Sequence, residues 1–228
     1  MNNILLFLTI VLAIVLLCII YHFVNKVGSD LVYVKSGVDG REYQVRNMPD
    51  KEDASNLLAR LRRRLIGLTA QLKVHYPSDK RVKTVVNRFN PDAMSEISAY
   101  ANPKYTSYSV GKGKEIIFCL RSRDTKQKLI SDQTLTFVAI HELAHVMTIS
   151  VGHTEEFWEN MRFILANAIV WKLYTPVNYA KKPEPYCGLQ ITASPLADNP
   201  ETIAKYVTYD NATLVEEKYD DTNDAGIY

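Results

Sequence analysis

The longest hydrophobic run of the chain lies at its beginning. Residues 4–24 read ILLFLTIVLAIVLLCIIYHFV and contain no Asp, Glu, Lys or Arg. At a rise of about 1.5 Å per residue, a helix of this length covers about 32 Å, which is enough to cross a hydrocarbon core of about 30 Å. A signal peptide has a basic start, a shorter apolar stretch and small residues at its cleavage site, and none of these is found here. We therefore predict a short N-terminus at residues 1–3 and an uncleaved anchor in a lipid bilayer at residues 4–24.

The side of the membrane is indicated by the first charge after this run. Lys26 is the first charged residue after the run. Basic residues that flank a span tend to stay on the cytoplasmic side. We therefore expect a single-pass protein whose folded part faces the cytoplasm.

After the anchor, strand-like and helix-like patterns alternate. The pieces LVYV and REYQV flank SGVDG between residues 30 and 45 and predict a hairpin. Leucines recur every three or four positions in residues 51–74, which predicts an amphipathic helix. The β-branched run VKTVV in residues 81–87 predicts a short strand. Residues 105–121 predict two strands joined by a glycine-containing turn.

Two more helices are expected farther along the chain. Ser131 is suited to cap the first, which is expected to run to Ser150. The second is expected over residues 155–173, and the proline-rich residues 176–200 predict an irregular segment. Together the elements predict an α+β domain over residues 28–200, with a small mixed or antiparallel sheet.

The last segment differs from the rest of the chain in charge. Residues 201–228 contain seven acidic residues and two lysines, which predicts a solvated, flexible acidic tail.

Composition agrees with one folded domain. Hydrophobic residues make up 47% and charged residues 23% of the chain, which excludes a disordered or polytopic membrane protein. A net charge of +2 is too small to indicate nucleic-acid binding. Three cysteines are too few for a disulfide scaffold, and Cys119 and Cys187 are the only possible internal pair because Cys18 lies in the predicted anchor.

A cluster of basic residues lies within the helix predicted over residues 51–74. It consists of Arg60, Arg62, Arg63 and Arg64. We interpret it as a solvated helix face, with a contact to phosphate or anionic lipid as the alternative.

The candidate chemistry begins with HELAH at residues 141–145, an HExxH motif inside a predicted helix. A spacing of four places His141 and His145 one turn apart on the same helix face, where both imidazoles can reach one metal ion. Glu142 projects near that face and can accept a proton from a metal-bound water. The helix is otherwise apolar, and buried polar side chains require partners. Bound zinc (Zn2+) would provide one.

A catalytic zinc site needs a third protein ligand. Gly152 can adopt a positive φ and turn the chain back after the helix, and the next residue is His153. We therefore expect His153 to be the third ligand. The alternatives are the carboxylates of Glu155, Glu156 and Glu159.

The stretch HELAHVMTISVGHTEEFW resembles the core of the WLM and SprT-like zinc metallopeptidases, a branch of the zincins. The similarity is carried by His141, Glu142, His145, His153 and Phe157 and covers roughly residues 80–175. It implies a zincin-like fold in which a sheet packs on the HExxH helix. The chain departs from the family in the interval between the second and third histidines and in its anchor, so the family's DNA-linked role is not expected here. Separately, PYCGLQITASPL resembles uncharacterised proteins of large DNA viruses.

The expected function is a membrane-anchored, zinc-dependent peptidase that acts on a protein or peptide substrate. Glu142 is expected to serve as general base toward a zinc-activated water. The resemblance to zincins implies that KEIIFCLR, residues 114–121, edges the cleft and pairs with extended substrate. Tyr186 is a candidate for stabilising the oxyanion. The alternative is a membrane-tethered, non-catalytic metal-binding protein, or an interaction protein that uses the basic face at residues 60–64.

Overall fold

The computed structural model describes residues 2–27, 30–196 and 200–208. Its elements, in chain order, are α1 (Asn2–Val27), β1 (Leu31–Lys35), β2 (Glu42–Arg46), α2 (Lys51–His75), α3 (Lys80–Arg88), β3 (Met94–Glu96), β4 (Tyr108–Val110), β5 (Glu115–Phe118), α4 (Asp132–Met147), α5 (Glu155–Val170), β6 (Glu184–Tyr186), β7 (Leu189–Ile191) and α6 (Pro200–Tyr206). The prediction of an α+β chain with a small mixed sheet is confirmed.

The first helix is long and apolar enough to cross a membrane. Its side chains at residues 4–21 are all exposed, so they contribute nothing to the core of the domain. The presence of a helix that could cross a membrane is thus confirmed, and its role as an uncleaved anchor at residues 4–24 stays a prediction.

Within the described residues, the main sheet has five strands in the order β1-β2-β3-β5-β4. Strands β2, β3 and β5 are parallel to one another, whereas β1 and β4 are antiparallel to their neighbours. Both predicted hairpins are present, β1–β2 and β4–β5. Because β4 folds back onto the outer side of β5, β4 is the last strand of the sheet.

Helices α2 and α4 build the core beside the sheet. The leucines that predicted α2 are buried, among them Leu57, Leu61, Leu65 and Leu68. Helix α4 packs against α2, α3 and α5, so nearly every face of it is covered. This burial explains why its sequence is apolar almost all round.

The prediction of a strand over residues 81–87 is wrong, because this segment is helix α3. Asp79 caps the helix by accepting a hydrogen bond from the Arg81 amide at 2.7 Å. Val82 and Val85, three residues apart, are buried on one face. Packing of that face overrides the weak strand preference of β-branched residues.

Three other features also differ from the predictions. Helix α4 ends at Met147 rather than Ser150, since Thr148 is extended. The proline-rich segment 176–200 is not wholly irregular and contains the β6–β7 hairpin. The segment predicted as a tail begins inside the folded domain, because Tyr206 of α6 is buried and its hydroxyl donates to the Glu159 carboxylate at 3.0 Å. Residues 209–228 lie outside the described part of the chain.

Candidate metal centre

Three imidazoles converge at one point above α4. The ligand nitrogens of His141, His145 and His153 lie within 4.8 Å of one another. The Nε2 atoms of His141 and His153 are 3.0 Å apart. Two of the rings come from consecutive turns of α4, and the third comes from the loop that joins α4 to α5.

The return of His153 to the helix follows from two local features of the sequence. Gly152 has φ of +86°, a conformation that a residue without a Cβ adopts at little cost. Thr154 caps α5 with a side chain that accepts from the Phe157 amide. The turn and the cap together present His153 toward α4.

The loop that carries His153 is held from both sides. The Glu156 carboxylate accepts hydrogen bonds from the amides of Ile149 and Ser150 at 2.9 and 3.0 Å. Lys112 Nζ donates to the carbonyls of Thr148 and Ser150 at 3.0 and 2.7 Å. Glu156, considered as an alternative ligand, therefore fixes the loop backbone.

The other two alternative carboxylates also have partners elsewhere. Arg162 donates to Glu155 at 3.2 Å and to Glu159 at 2.8 Å. Glu159 also accepts from the hydroxyl of Tyr206. These contacts leave His153 as the third side chain of the cluster.

The donor set fits a zinc ion. Tetrahedral zinc with Zn–N distances of about 2.0–2.1 Å separates its ligand nitrogens by about 3.3 Å, close to the separation of His141 and His153. Burial, and then the neighbouring imidazoles, lower the pKa of His141 to about 3. Burial is also the main cause that lowers the pKa of His145, to about 4. Both rings are therefore neutral near pH 7, the form that binds metal.

Glu142 lies beside this cluster and is almost fully buried. Only 4% of its surface is exposed. Burial raises the pKa of Glu142 to about 8, and the backbone amide of Ser109 acts in the opposite direction. A carboxyl group with a pKa near neutrality can both accept and return a proton at physiological pH.

The cluster lies on the floor of an open cleft of about 710 Å³. One wall is formed by residues 106–109 at β4 and the other by residues 189–193 at β7. Consecutive residues line each wall, whereas side chains of a strand alternate between its two faces. Both strands therefore present an edge of the backbone to the cleft.

The resemblance implied that residues 114–121 would edge the cleft, and this is wrong. Strand β5 is paired on both sides, with β3 and with β4. The turn at residues 111–113 lets β4 cover the edge of β5 that would otherwise face the cleft.

Tyr186 lines the same cleft, and sequence reasoning missed its partner. Its buried hydroxyl lies 2.5 Å from Ser107 Oγ. Ser107 Oγ in turn accepts from the Cys119 amide at 3.0 Å. Burial raises the pKa of Tyr186, the hydrogen bond with Ser107 opposes this, and the nearby charge of Glu142 adds to it. The phenol therefore keeps its proton. Nothing in the sequence distinguishes Ser107 from other serines.

A disulfide joins the β6–β7 hairpin to the end of β5. Cys119 and Cys187 are bonded across 68 residues, and both are buried. Cys187 directly follows Tyr186, so the bond secures the cleft wall that carries the phenol.

The basic cluster on α2 lies away from the cleft and has acidic partners within the domain. Arg64 donates to both oxygens of Asp132 at 2.6 and 2.5 Å. Arg62 donates to Asp92 at 2.9 Å. Two of the four arginines that the interaction-protein alternative would use are therefore paired within the domain.

Comparison with known proteins finds relatives in viruses. The uncharacterized protein R325 of Acanthamoeba polyphaga mimivirus is 36% identical over 188 residues, which cover 81% of this chain and 94% of the relative. The uncharacterized protein 136R of Invertebrate iridescent virus 6 is 33% identical over 86 residues, 37% of this chain and 47% of the relative.

The uncharacterized protein 042R of Invertebrate iridescent virus 3 is 34% identical over 105 residues, which cover 43% of this chain and 62% of the relative. No family model and no solved structure matches the chain. The viral origin of the relatives agrees with the resemblance of PYCGLQITASPL to viral proteins. The extent of the match with the mimivirus protein decides the family: this chain belongs to the family of the uncharacterized protein R325.

Proposed function

We propose that the protein is a membrane-anchored, zinc-dependent metallopeptidase with a zincin-like domain, organised as in the WLM and SprT-like enzymes. One observation carries the proposal. Three imidazoles, of which those of His141 and His145 are neutral near pH 7, converge beside a buried carboxyl group whose pKa is raised to about 8, in a cleft open to solvent. Catalytic zinc sites have three protein ligands and an open position, and a carboxylate beside them can act as the general base.

His141, His145 and His153 would hold the metal. When bound, zinc supplies a Lewis acid that polarises a carbonyl group and makes water acidic near neutral pH. Phe157 supports the three rings from below, with centroid distances between 4.3 and 4.9 Å.

Glu142 handles the proton in this mechanism. As a carboxylate, it accepts the proton of the attacking water, and it then delivers that proton to the departing amine. The Ser109 amide, which favours the charged carboxylate, holds Glu142 toward β4, where the substrate backbone would lie. The cleft wall thus aligns the base with the peptide bond.

The two backbone edges of the cleft suit an extended polypeptide. A peptide laid along β4 would add a strand to the sheet, and β7 would cover its other side. Tyr186 would donate its hydroxyl proton to the oxyanion, with Ser107 holding the phenol oxygen in place. Folded substrates would have to present an unstructured segment.

The disulfide restricts where the protein can work. Cys119 and Cys187 are a structural pair, and such bonds persist in environments that do not reduce them. The cytoplasmic side that Lys26 favours therefore requires an oxidising system on that side.

The test uses the full chain in detergent micelles, with zinc measured by elemental analysis and cleavage measured on fluorescein-labelled casein. We expect one zinc per chain and cleavage by the wild type, and Glu142→Gln should keep the zinc and lose the cleavage. Glu155→Gln is the matched control, because Glu155 is bonded to Arg162 outside the cleft, and it should keep both.

Two outcomes would contradict the proposal. A folded wild type without zinc would remove the metal centre altogether. If the wild type binds zinc but does not cleave casein, and Glu142→Gln behaves in the same way, the non-catalytic metal-binding alternative would be favoured.

A further inference from the structure

Two neighbouring loops at one end of the sheet form a continuous surface. Residues 98–105 connect β3 to β4, and residues 122–128 follow β5. Because β3 and β5 are parallel and adjacent, both loops leave the sheet at the same end. Arg123 joins them, since its guanidinium donates to the carbonyls of Pro103 and Tyr105. We call these two segments the loop surface.

The chain enters the domain from α1 at this same end. Strand β1 begins at Leu31, which lies opposite Arg46 at the end of β2. Asp30 accepts hydrogen bonds from Ser98 Oγ at 2.6 Å and from the Ala99 amide at 2.7 Å. Asp30 is therefore bound to the first residues of the loop surface.

Little chain separates this point from the helix that can cross a membrane. Helix α1 ends at Val27, three residues before Asp30. Three Cα–Cα steps reach at most about 11 Å. The loop surface therefore stays close to the end of α1.

The side chains of the loop surface are those of a membrane interface. Tyr100 is 80% exposed and Tyr105 is 56% exposed. Its exposed basic residues are Lys104, Arg123, Lys126 and Lys128, and Asp124 is the single acidic residue in the two segments. Tyrosine is enriched at the headgroup level, and clustered Lys and Arg are attracted to anionic lipid.

Three acidic groups at this end of the sheet pair with internal arginines. Asp30 pairs with Arg46 at 3.3 Å, and Glu96 pairs with Arg121 at 2.9 Å. Asp50 also pairs with Arg121, at 2.7 Å. With four basic residues against Asp124, the two segments of the loop surface carry a net positive charge that an external anion can neutralise.

From these contacts we propose that the loop surface lies on the anionic headgroups of the bilayer that holds α1. Tyr100 and Tyr105 reach the headgroup level, and the four basic residues contact lipid phosphate or carboxylate. The domain is then held by two attachments, the covalent link through α1 and this docked face.

Docking of this face also selects the substrate, a consequence that rests on the proposed function. Residues 106–109 follow the loop surface directly and form one wall of the cleft. One end of the cleft therefore opens at the bilayer. The substrate class is an extended segment of a polypeptide next to the membrane, such as the stretch that adjoins a membrane anchor.

The test measures the depth of a single introduced tryptophan in the full chain. The protein is reconstituted in vesicles of phosphatidylcholine and phosphatidylserine that contain a lipid with a quencher near the headgroup. Tyr100→Trp and Tyr105→Trp place the probe on the loop surface. Val74→Trp is the matched control, because Val74 is 71% exposed and lies far from the loop surface. Helix α2 starts near that surface at Lys51, and Val74 lies roughly 34 Å farther along the helix. Trp158 and Trp171 also fluoresce, so the fluorescence of the wild type is measured in the same vesicles and subtracted.

We expect quenching at Tyr100→Trp or Tyr105→Trp to be at least twofold stronger than at Val74→Trp. This difference in quenching should be smaller in vesicles of phosphatidylcholine alone. It should also be smaller when Lys126→Gln and Lys128→Gln are introduced together. Equal quenching at all three positions would overturn the proposal. The readout does not depend on cleavage, so a failure here and a failure of the peptidase assay are distinguishable.

Discussion

The ring of Phe157 stacks on the imidazole of His145, with the two centroids 4.3 Å apart and the planes inclined by 28°. The same ring meets His141 and His153 edge-on, at 4.9 and 4.7 Å. Phe157 is fully buried. One side chain of α5 therefore fixes the tilt of all three imidazoles, including the one that precedes its own helix.

Replacement of Phe157 by Ala should affect both the fold and the metal centre. Removing a buried phenyl ring costs about 3–5 kcal/mol, so the free energy of unfolding should fall by that amount. Zinc affinity should fall as well, because the rings lose the surface that orients them. Denaturant unfolding and chelator competition measure the two effects.

Phe163→Ala separates the two effects of this change. Phe163 lies on the same helix and is buried, but it contacts Tyr76 and Arg81 rather than the histidines. The Phe163→Ala variant should lose a similar amount of unfolding free energy and keep its zinc affinity. An equal loss of zinc affinity in both variants would show that Phe157 acts only through the fold.

The loop that carries His153 gives a second prediction, which leaves the core untouched. Glu156→Gln and Lys112→Met each remove hydrogen bonds to the loop backbone. We expect zinc affinity to fall about 10- to 100-fold, as for other groups that orient ligands, with little change in unfolding. Glu155→Gln, on the same helix turn, should retain its affinity. Unchanged affinity in all three would mean that the loop is held by Gly152 and the α5 cap alone.

The parts of the site that sequence predicts well are those made by neighbouring residues. His141 and His145 share a helix face because of their spacing alone. His153 follows a glycine with positive φ and precedes a capping threonine, so the turn, the third imidazole and the start of α5 can be read within a few positions. Local rules suffice here because no distant contact is needed to set the geometry.

The parts that sequence reasoning missed depend on contacts between distant segments. Ser107 is hydrogen-bonded to Tyr186, 79 residues away in the sequence, and Arg64 is hydrogen-bonded to Asp132, 68 residues away. No periodicity or spacing encodes such pairings. The same limit explains the mistaken cleft edge, since only the folded hairpin shows that β4 covers β5. The segment 81–87 was mistaken because its strand preference is weaker than the packing of Val82 and Val85.

The disulfide is expected to stabilise the cleft wall. A bond that closes a segment of 68 residues is worth about 4 kcal/mol in the chain-entropy estimate. Cys119→Ser with Cys187→Ser should lower the free energy of unfolding by about this amount and reduce cleavage, because Tyr186 loses its neighbouring attachment. Cys18→Ser, in α1 and outside the domain, is the control and should change neither quantity. If Cys119 and Cys187 of the wild type react with an alkylating reagent without prior reduction, the pairing would be contradicted.

The buried carboxyl group of Glu142 should make the metal-free protein sensitive to alkaline pH. Burial raises its pKa to about 8, whereas the unfolded chain releases this proton near pH 4.3. Between these values the folded state binds one more proton, so the free energy of unfolding should fall as pH rises, by up to about 1.4 kcal/mol per unit, and level off above pH 8. His141 and His145 act in the opposite sense but only below about pH 6.5, because burial lowers their pKa values in the fold.

Denaturant unfolding of the chelated full chain between pH 6.5 and 8.5 therefore reports on Glu142. Glu142→Gln should flatten the slope and Glu155→Gln should keep it, and the same slope in all three proteins would place the titrating group elsewhere.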